Sequence, residues 1–402
     1  MELWVPYGET EIPVRIPDDN FYRILEPTKP GAKDVASLIQ QALEHPIAAS
    51  PLDSVVKPGG TAGIVVDPIV PIEIMQEAVR TLTSRLSSLG VEKTRVFVRR
   101  RLSTAYSSDE GYKHLDPSQN SFQEIGKTAM GTIVDVDPEL SSCETKIHVG
   151  LVSPHFATGF TGGPESVIPS CSSLRSIGKN RALLMKGLPI HSASADNTVL
   201  SDSLEACRLA GPIYNLCFVP DGLGGVGSVL AGELEPVFRE AVSRFSDVHM
   251  PRIERRVDII VVSAGRLGLD LYHGIRVISN VLGALRKDGT IILVAECSKG
   301  VGDSGFLDYA RRFRERKELL AELRYRFRLG GHVNAFLQEV LESCRVQLVS
   351  VLPELFVRDT FNLKASQAAS EAVQKAIRFE GKESKILLVP KGDLTIPVMD
   401  SS

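Results

Sequence analysis

The stretch HVGLVSPHFATGFTGGPESVIPSCSSLRSIGKNR, residues 148–181, decides the fold of this chain. The apolar run Ile147–Val152 predicts a buried strand, and Ser153-Pro154-His155 ends it. A glycine-rich turn follows at residues 159–164, and a helix start is predicted between Ser172 and Ser176. A strand end, a histidine, paired glycines and a helix start are typical of an α/β active site. A tight turn with a surface histidine is an equally good interpretation of these residues.

Strands and helices alternate on both sides of this stretch. Residues 61–67 predict a buried parallel strand, Ile72–Leu89 an amphipathic helix and Arg95–Val98 the next strand. A second series begins with the apolar strand Val257–Val262. This order predicts an α/β fold with two domains, each built on a mainly parallel sheet, and a cleft between them.

The charged segment Arg252–Arg256 separates the two series. It places the domain boundary near residue 250, with an N-terminal domain over 1–250 and a C-terminal α/β domain over 251–402. Residues 1–26 alternate apolar and polar side chains, which predicts a hairpin within the first domain.

Composition limits the function classes. The chain has 402 residues, of which 43% are apolar and 24% charged, and a net charge of −3, so we expect no bulk attraction to nucleic acid or membrane. Six cysteines without CxxC pairs argue against a zinc ribbon or redox motif. Long apolar runs are absent, and the charged N-terminus does not match a signal peptide, so a cytoplasmic protein is expected.

Residues 154–163, PHFATGFTGG, resemble the signature PHFFAGFSGG of the nickel-pincer-nucleotide-dependent lactate racemase family. The C-terminal half matches the family pattern at Asp258, Ser263, Gly265, Leu269, Asp270, Tyr272 and the run Ala295-Glu296-Cys297-Ser298, with Gly300 and Gly302. The resemblance extends over roughly residues 5–395. It implies the lactate-racemase-like fold and a 2-hydroxyacid racemase or epimerase activity.

The resemblance also implies a mechanism, and this chain departs from it. The family binds nickel in a modified nicotinamide nucleotide tethered to a lysine, with a histidine ligand and two acid/base histidines. His155 occupies one acid/base position, but Glu165 replaces the lysine, Arg181 the nickel ligand and Pro71 the carboxylate-binding arginine. A carboxylate cannot form the tether and a guanidinium does not bind nickel. We therefore predict no nickel nucleotide and no metal, and expect Glu165 and Arg181 to form an ion pair instead.

In the C-terminal half, His273 and Arg276 stand where the family has glutamine and lysine, one turn apart on one helix. Three consecutive arginines, Arg99–Arg101, end a predicted strand and could either hold an anion or form a solvated basic edge. The candidate catalytic residues are His155, Glu165, His273 and Arg276. The candidate cofactor-binding residues are Gly162, Gly163, Arg181 and Glu296.

Three interpretations stay open. The first is a diverged enzyme that still acts on a small anionic molecule such as a 2-hydroxy acid. The second is a non-catalytic homologue that binds a small anion or a nucleotide, or serves as a partner subunit. The third is an ordinary racemase whose residues align in another register. Convergence of the candidate residues in one cleft would indicate a surviving ligand site.

Overall fold

The computed structural model describes residues 1–27, 34–99, 111–119, 121–186 and 197–400. The strands are β1 (Glu2–Tyr7), β2 (Thr10–Arg15), β3 (Phe21–Ile24), β4 (Thr61–Val66), β5 (Lys93–Arg99), β6 (Tyr112–Leu115), β7 (Gln123–Lys127), β8 (Ile133–Val136), β9 (Thr145–Leu151), β10 (Pro154–His155), β11 (Gly159–Phe160), β12 (Tyr214–Pro220), β13 (Val226–Glu233), β14 (Arg252–Ile253), β15 (Val257–Ser263), β16 (Leu285–Val294), β17 (Arg345–Val349), β18 (Lys364–Ser366), β19 (Ile386–Val389) and β20 (Val398–Met399).

The α-helices surround these strands. They are α1 (Val35–Glu44), α2 (Leu52–Val55), α3 (Ile72–Ser88), α4 (Pro138–Ser141), α5 (Leu174–Ala182), α6 (Thr198–Leu209), α7 (Leu234–His249), α8 (Leu271–Arg276), α9 (Ile278–Val281), α10 (Ser304–Arg312), α11 (Arg316–Tyr325), α12 (Gly331–Ser343), α13 (Glu354–Phe361) and α14 (Ala369–Glu380). Within the described ranges, no helix is long and apolar enough to cross a membrane.

Two six-stranded sheets dominate the molecule. The first has the order β13-β12-β9-β4-β5-β6, with parallel neighbours except for the antiparallel β12–β13 pair. The second has the order β18-β17-β16-β15-β19-β3 and is entirely parallel. The prediction of an α/β fold built on two mainly parallel sheets is confirmed.

Apolar periodicity explains why these segments pack as they do. Helix α3 buries Met75, Ala78, Val79, Leu82 and Leu86 along one face. The central strands β4, β9 and β15 are buried almost throughout, because helices or loops cover both faces of their sheets. Each sheet therefore has apolar clusters on both faces.

The N-terminal segment lies with the second sheet. The predicted hairpin is present as β1 and β2, but Val5 and Val14 pack against Ile259 and Val261. Strand β3 then pairs with β19 at the edge of the second sheet. This corrects the placement of residues 1–26 in the first domain, because their apolar face is buried on the C-terminal half. The division near residue 250 stays a prediction.

Candidate active site

A cavity of about 520 Å³ lies where the carboxyl ends of the two sheets face each other. The first sheet contributes residues that follow β4 and β9, together with Arg99 at the end of β5, and the second contributes those that follow β15 and β16. Ligands bind to parallel sheets at this end of the strands. Five candidate residues line the cavity together: His155, Glu165, Arg181, His273 and Arg276.

His155 lies on a small hairpin after β9, where β10 pairs with β11. Its Nδ1 accepts from the backbone N–H groups of Ala157 at 3.3 Å and Thr158 at 3.2 Å. The proton of the neutral ring is therefore on Nε2. Burial lowers the pKa of His155 well below its usual value, and Arg276 and Arg181 add to this effect. His155 is thus a neutral ring that presents an N–H group from the N-terminal wall.

Glu165 and Arg181 form the expected ion pair. Oε1 of Glu165 is 2.9 Å from Nη2 of Arg181 and 3.7 Å from Nε2 of His155. The two paired side chains are only 10% and 6% exposed. Burial raises the pKa of Glu165; Arg181 opposes the shift and Asp67 adds to it. A carboxyl group with raised pKa in a cavity is typical of an acid/base catalyst.

The opposite wall is formed by the short helix α8. Asp270 caps it by accepting from the backbone N of His273 at 2.9 Å. The same carboxylate lies 2.8 Å from Nδ1 of His273, so Nδ1 carries the proton and Nε2 of the neutral ring is the acceptor. One turn further, the guanidinium of Arg276 lies 5.2 Å from the ring centroid of Phe156. This wall combines an oriented imidazole with a cation.

His332, at the start of α12, also lines the cavity and was not predicted. It is 3% exposed, and its ring stacks on Phe156 with centroids 5.7 Å apart and planes at 14°. Burial, together with Arg181 and Arg276, lowers its pKa to about 3. In the sequence it follows a glycine pair before a helix, a signal too common to single it out.

A buried pair, Asp67 and His148, was also missed. Asp67 follows β4 and lines the cavity, while His148 lies in the neighbouring strand β9, with no exposed side-chain surface. The sequence indicated Asp67 as a strand end and His148 as the first residue of the decisive stretch. Their contact arises from the pairing of β4 with β9, which the sequence does not show.

Both signature glycines serve packing. Gly162 lies against Cys217, and a Cβ there would come within 2.9 Å of its sulfur. Gly163 lies against Phe238, with a corresponding distance of 3.1 Å. Neither glycine lines the cavity. Close approach of the turn to β12 and α7 accounts for the absence of a side chain at both positions, and their cofactor-binding role stays a prediction.

Glu296 is likewise outside the cavity lining. It accepts from Oγ of Ser298 at 2.8 Å and lies beside Gly8 in the turn between β1 and β2, where a Cβ would overlap its carboxylate. This contact holds the N-terminal hairpin against the loop that follows β16, and the cofactor-binding role of Glu296 stays a prediction.

Of the three consecutive arginines, Arg99 lines the cavity. Burial lowers its pKa, as does the positive charge of Arg181. Arg100 and Arg101 lie outside the described residues.

The donor set does not suit the nickel nucleotide that the resemblance implies. A buried carboxylate–guanidinium pair stands at the tether and metal-ligand positions, Glu165 and Arg181. Carboxylates cannot form the amine-dependent tether, and guanidinium does not give up a proton to bind a metal. Across the part of the chain that the structure describes, no cluster of three or more His, Cys, Asp or Glu side chains is placed to hold a metal ion.

Comparison with known proteins gives matches along nearly the whole chain. A family model described as the lactate racemase N-terminal domain matches residues 7–104 and 104–190, and one described as the lactate racemase C-terminal domain matches residues 253–397. A lactate racemase from Thermoanaerobacterium thermosaccharolyticum is 22% identical, over 96% of this chain and 97% of the relative. One from Lactiplantibacillus plantarum is 24% identical over the same shares.

Solved structures share the fold. The lactate racemase apoprotein from Thermoanaerobacterium thermosaccharolyticum superposes with a TM-score of 0.83 and 18% identity, covering 99% of this chain and 100% of that one. A protein from Thermotoga maritima gives a TM-score of 0.70 and 14% identity, over 93% of this chain and all of its own length. The lengths and the fold therefore agree, while the sequences have diverged widely.

Proposed function

This chain belongs to the lactate racemase family, and from that premise we propose that it inverts C2 of a 2-hydroxy acid by moving a proton. The two enantiomers present their C2 hydrogen on opposite faces, so inversion by proton transfer requires an acid/base group on each side. Glu165 lies on the N-terminal wall and His273 on the C-terminal wall of one cavity. This opposed placement is the observation that carries the proposal.

The chemistry balances without an oxidant. One of the two groups removes the C2 proton, and the electrons of the C–H bond move into the substrate carboxylate to give an enediolate. The other group returns a proton to C2 from the opposite face, which restores the hydroxy acid with inverted configuration. Arg99 and Arg276 would bind the carboxylate and stabilise the charge that develops on it, because both line the cavity. The Nε2–H of His155 would donate to the 2-hydroxyl.

We propose that this reaction proceeds without the nickel nucleotide. The ion pair between Glu165 and Arg181 supports the proposal, since each residue lacks the chemistry that the cofactor needs at its position. The non-catalytic alternative is not favoured, because the curated relatives that match over the whole length are racemases.

A cytoplasmic location forms part of the same proposal. All six cysteines are free and buried, which suits a reducing compartment.

The test is proton NMR of the purified protein incubated in D2O with separate D and L forms of a panel of 2-hydroxy acids, from lactate to larger members. Proton transfer through solvent-exchangeable groups replaces C2–H with deuterium during inversion. Inversion with full retention of the C2 hydrogen would instead indicate hydride transfer and refute the proposal, as would the absence of both inversion and exchange. Intact-mass measurement of the same sample should give the mass of the chain alone.

A further inference from the structure

The region beneath the cavity holds a histidine whose hydrogen bonds determine its protonation. Nδ1 of His148 is 2.8 Å from Oδ1 of Asn215. The amide nitrogen of Asn215 donates to the carbonyl of Gly162 at 3.0 Å, which leaves Oδ1 as the acceptor that faces His148. Nδ1 of His148 therefore carries a proton.

The other ring nitrogen faces a carboxylate. Nε2 of His148 is 3.1 Å from Oδ2 of Asp67, in ion-pair contact but without the geometry of a hydrogen bond. Oδ1 of Asp67 accepts from Oγ of Ser170 at 2.7 Å, which favours the ionised carboxylate. A neutral His148 would direct a lone pair at this oxygen in a site shielded from water, and the repulsion would be strong there. A second ring proton removes that conflict.

We propose that His148 and Asp67 form a permanent imidazolium–carboxylate pair, and that it is a positioning unit which fixes a negative charge beside Glu165. The second half of this proposal rests on the proposed function, in which Glu165 exchanges protons with substrate. The first half rests only on the contacts of His148 with Asn215 and Asp67.

Several positive charges surround Glu165, and the carboxylate of Asp67 offsets them. Arg181 at 2.9 Å holds Glu165 ionised, and the Nε2–H group of His155 lies 3.7 Å away. Arg276 and Arg99 line the same cavity and add positive charge. The carboxylate of Asp67 opposes these cations, so Glu165 retains enough affinity for a proton to act as a base.

Burial of the pair supports a functional role. His148 and Asp67 have 0% and 2% exposed side chains. A buried ion pair is weak as a stabilising device, since apolar side chains of similar volume often serve as well. Asp67 contacts the cavity, whereas His148 lies behind it. The pair therefore acts on the site through the carboxylate of Asp67.

The first experiment reads the charge of His148 directly. The full-length protein is labelled with ¹⁵N-histidine, and the His148 signals are identified by their loss in His148→Gln. At pH 8 we expect both ring nitrogens of His148 to have the shifts of a protonated imidazolium. An unprotonated Nε2 at this pH overturns the proposal, whatever the catalytic activity of the protein.

The second experiment reads the effect on Glu165. The side-chain carboxyl carbon of Glu165, assigned with Glu165→Gln, is titrated by ¹³C NMR in the wild type and in Asp67→Asn. The midpoint should fall by about one pH unit in Asp67→Asn, because the opposing negative charge is gone. His148→Gln should raise the midpoint instead, because it removes a positive charge and leaves the Asp67 carboxylate in place; it replaces Asp67→Asn if that variant does not fold. Asp135→Asn, a buried carboxylate outside the cavity, is the matched control.

An unchanged midpoint in both variants means that the pair is only structural and refutes the positioning role. The ¹³C titration of Glu165 does not require the protein to turn over a substrate. Failure of the proposed function, seen as no C2 exchange in the wild type, is therefore distinguishable from failure of this inference.

Discussion

The two walls of the cavity hold their charged groups in different ways. On the N-terminal wall, Glu165 and Arg181 are paired with each other and nearly buried. On the C-terminal wall, His273 is 23% exposed and is held by Asp270 through Nδ1. On the first wall the two charged groups therefore satisfy each other within the protein. The second presents an oriented base on a short helix, where a substrate can reach it.

This difference teaches how the two walls divide stability and reactivity. A buried ion pair depends on both of its members, so single substitutions there should be poorly tolerated. A histidine that is partly exposed in the cavity and held through one ring nitrogen leaves its other nitrogen available to a substrate. The N-terminal wall should accordingly dominate stability and the C-terminal wall the rate of proton transfer.

The largest expected effect is on stability. Arg181→Met leaves Glu165 buried without its counter-ion, and we expect a loss of about 3–5 kcal/mol in the free energy of unfolding, measured with urea. Arg244→Met, in an exposed ion pair with Glu240, is the control. The two side chains are 45% and 43% exposed, so the loss should be about 1 kcal/mol or less. Equal losses of stability in the two variants would show that the buried pair of the N-terminal wall contributes no more than an exposed surface pair.

The second effect concerns the rate. His273→Gln places an amide where the proposed base stands, and C2 deuterium exchange should fall about 100-fold while KM changes little. NMR in D2O measures both quantities. His45→Gln, on an exposed surface away from the cavity, should retain the wild-type rate. Undiminished exchange in His273→Gln would exclude His273 as the second acid/base group.

The third effect is a pH dependence of stability. The pKa of His332 is about 3 in the folded state and about 6.5 when unfolded, so the unfolded chain binds more protons below pH 6.5. This residue's contribution is therefore fully present above about pH 6.5 and is lost as the pH falls towards 3. Between pH 7 and pH 5 the loss should be about 2 kcal/mol. In His332→Phe, the difference in the free energy of unfolding between pH 7 and pH 5 should be smaller by that amount. Urea titrations at both pH values measure this difference, and the same difference in the wild type and the variant would contradict a lowered pKa of His332.

The smallest effect separates capping from catalysis. Asp270 and Asp34 each cap a helix by accepting a backbone N–H at 2.9 Å. Replacement by alanine should cost about 1 kcal/mol of stability at Asp270 and should also destabilise the helix capped by Asp34. Only Asp270→Ala should also slow C2 exchange, because His273 loses the acceptor that orients its ring. Parallel urea and NMR measurements on both variants decide the point; equal exchange rates would show that Asp270 acts as a cap alone.

Much of this architecture follows from local sequence. Hydrophobic periodicity gave the strand and helix order, since burial of one face constrains each segment separately. His155, Glu165 and Arg181 lie within one short stretch, and their meeting depends on a turn and a helix start that the residues themselves indicate.

The unpredicted parts depend on contacts between distant segments. His148 meets Asp67 only because β9 lies beside β4, and His332 reaches Phe156 only because α12 packs across the cavity. Neither contact leaves a periodic or spacing signal. The placement of β3 is of the same kind, since its partner β19 is more than three hundred residues away along the chain.

That pairing of β3 with β19 has a consequence for synthesis on the ribosome. Residues 21–24 are translated more than three hundred residues before their partner at 386–389. The first sheet, β13-β12-β9-β4-β5-β6, can assemble while translation continues, whereas the second must wait until residues 386–389 have emerged. A fragment that begins at residue 251 would leave the β19 edge bare and prone to pairing with other chains. Two segments far apart in the chain thus complete one sheet together, and the second sheet gains its β3 edge only after residues 386–389 have left the ribosome.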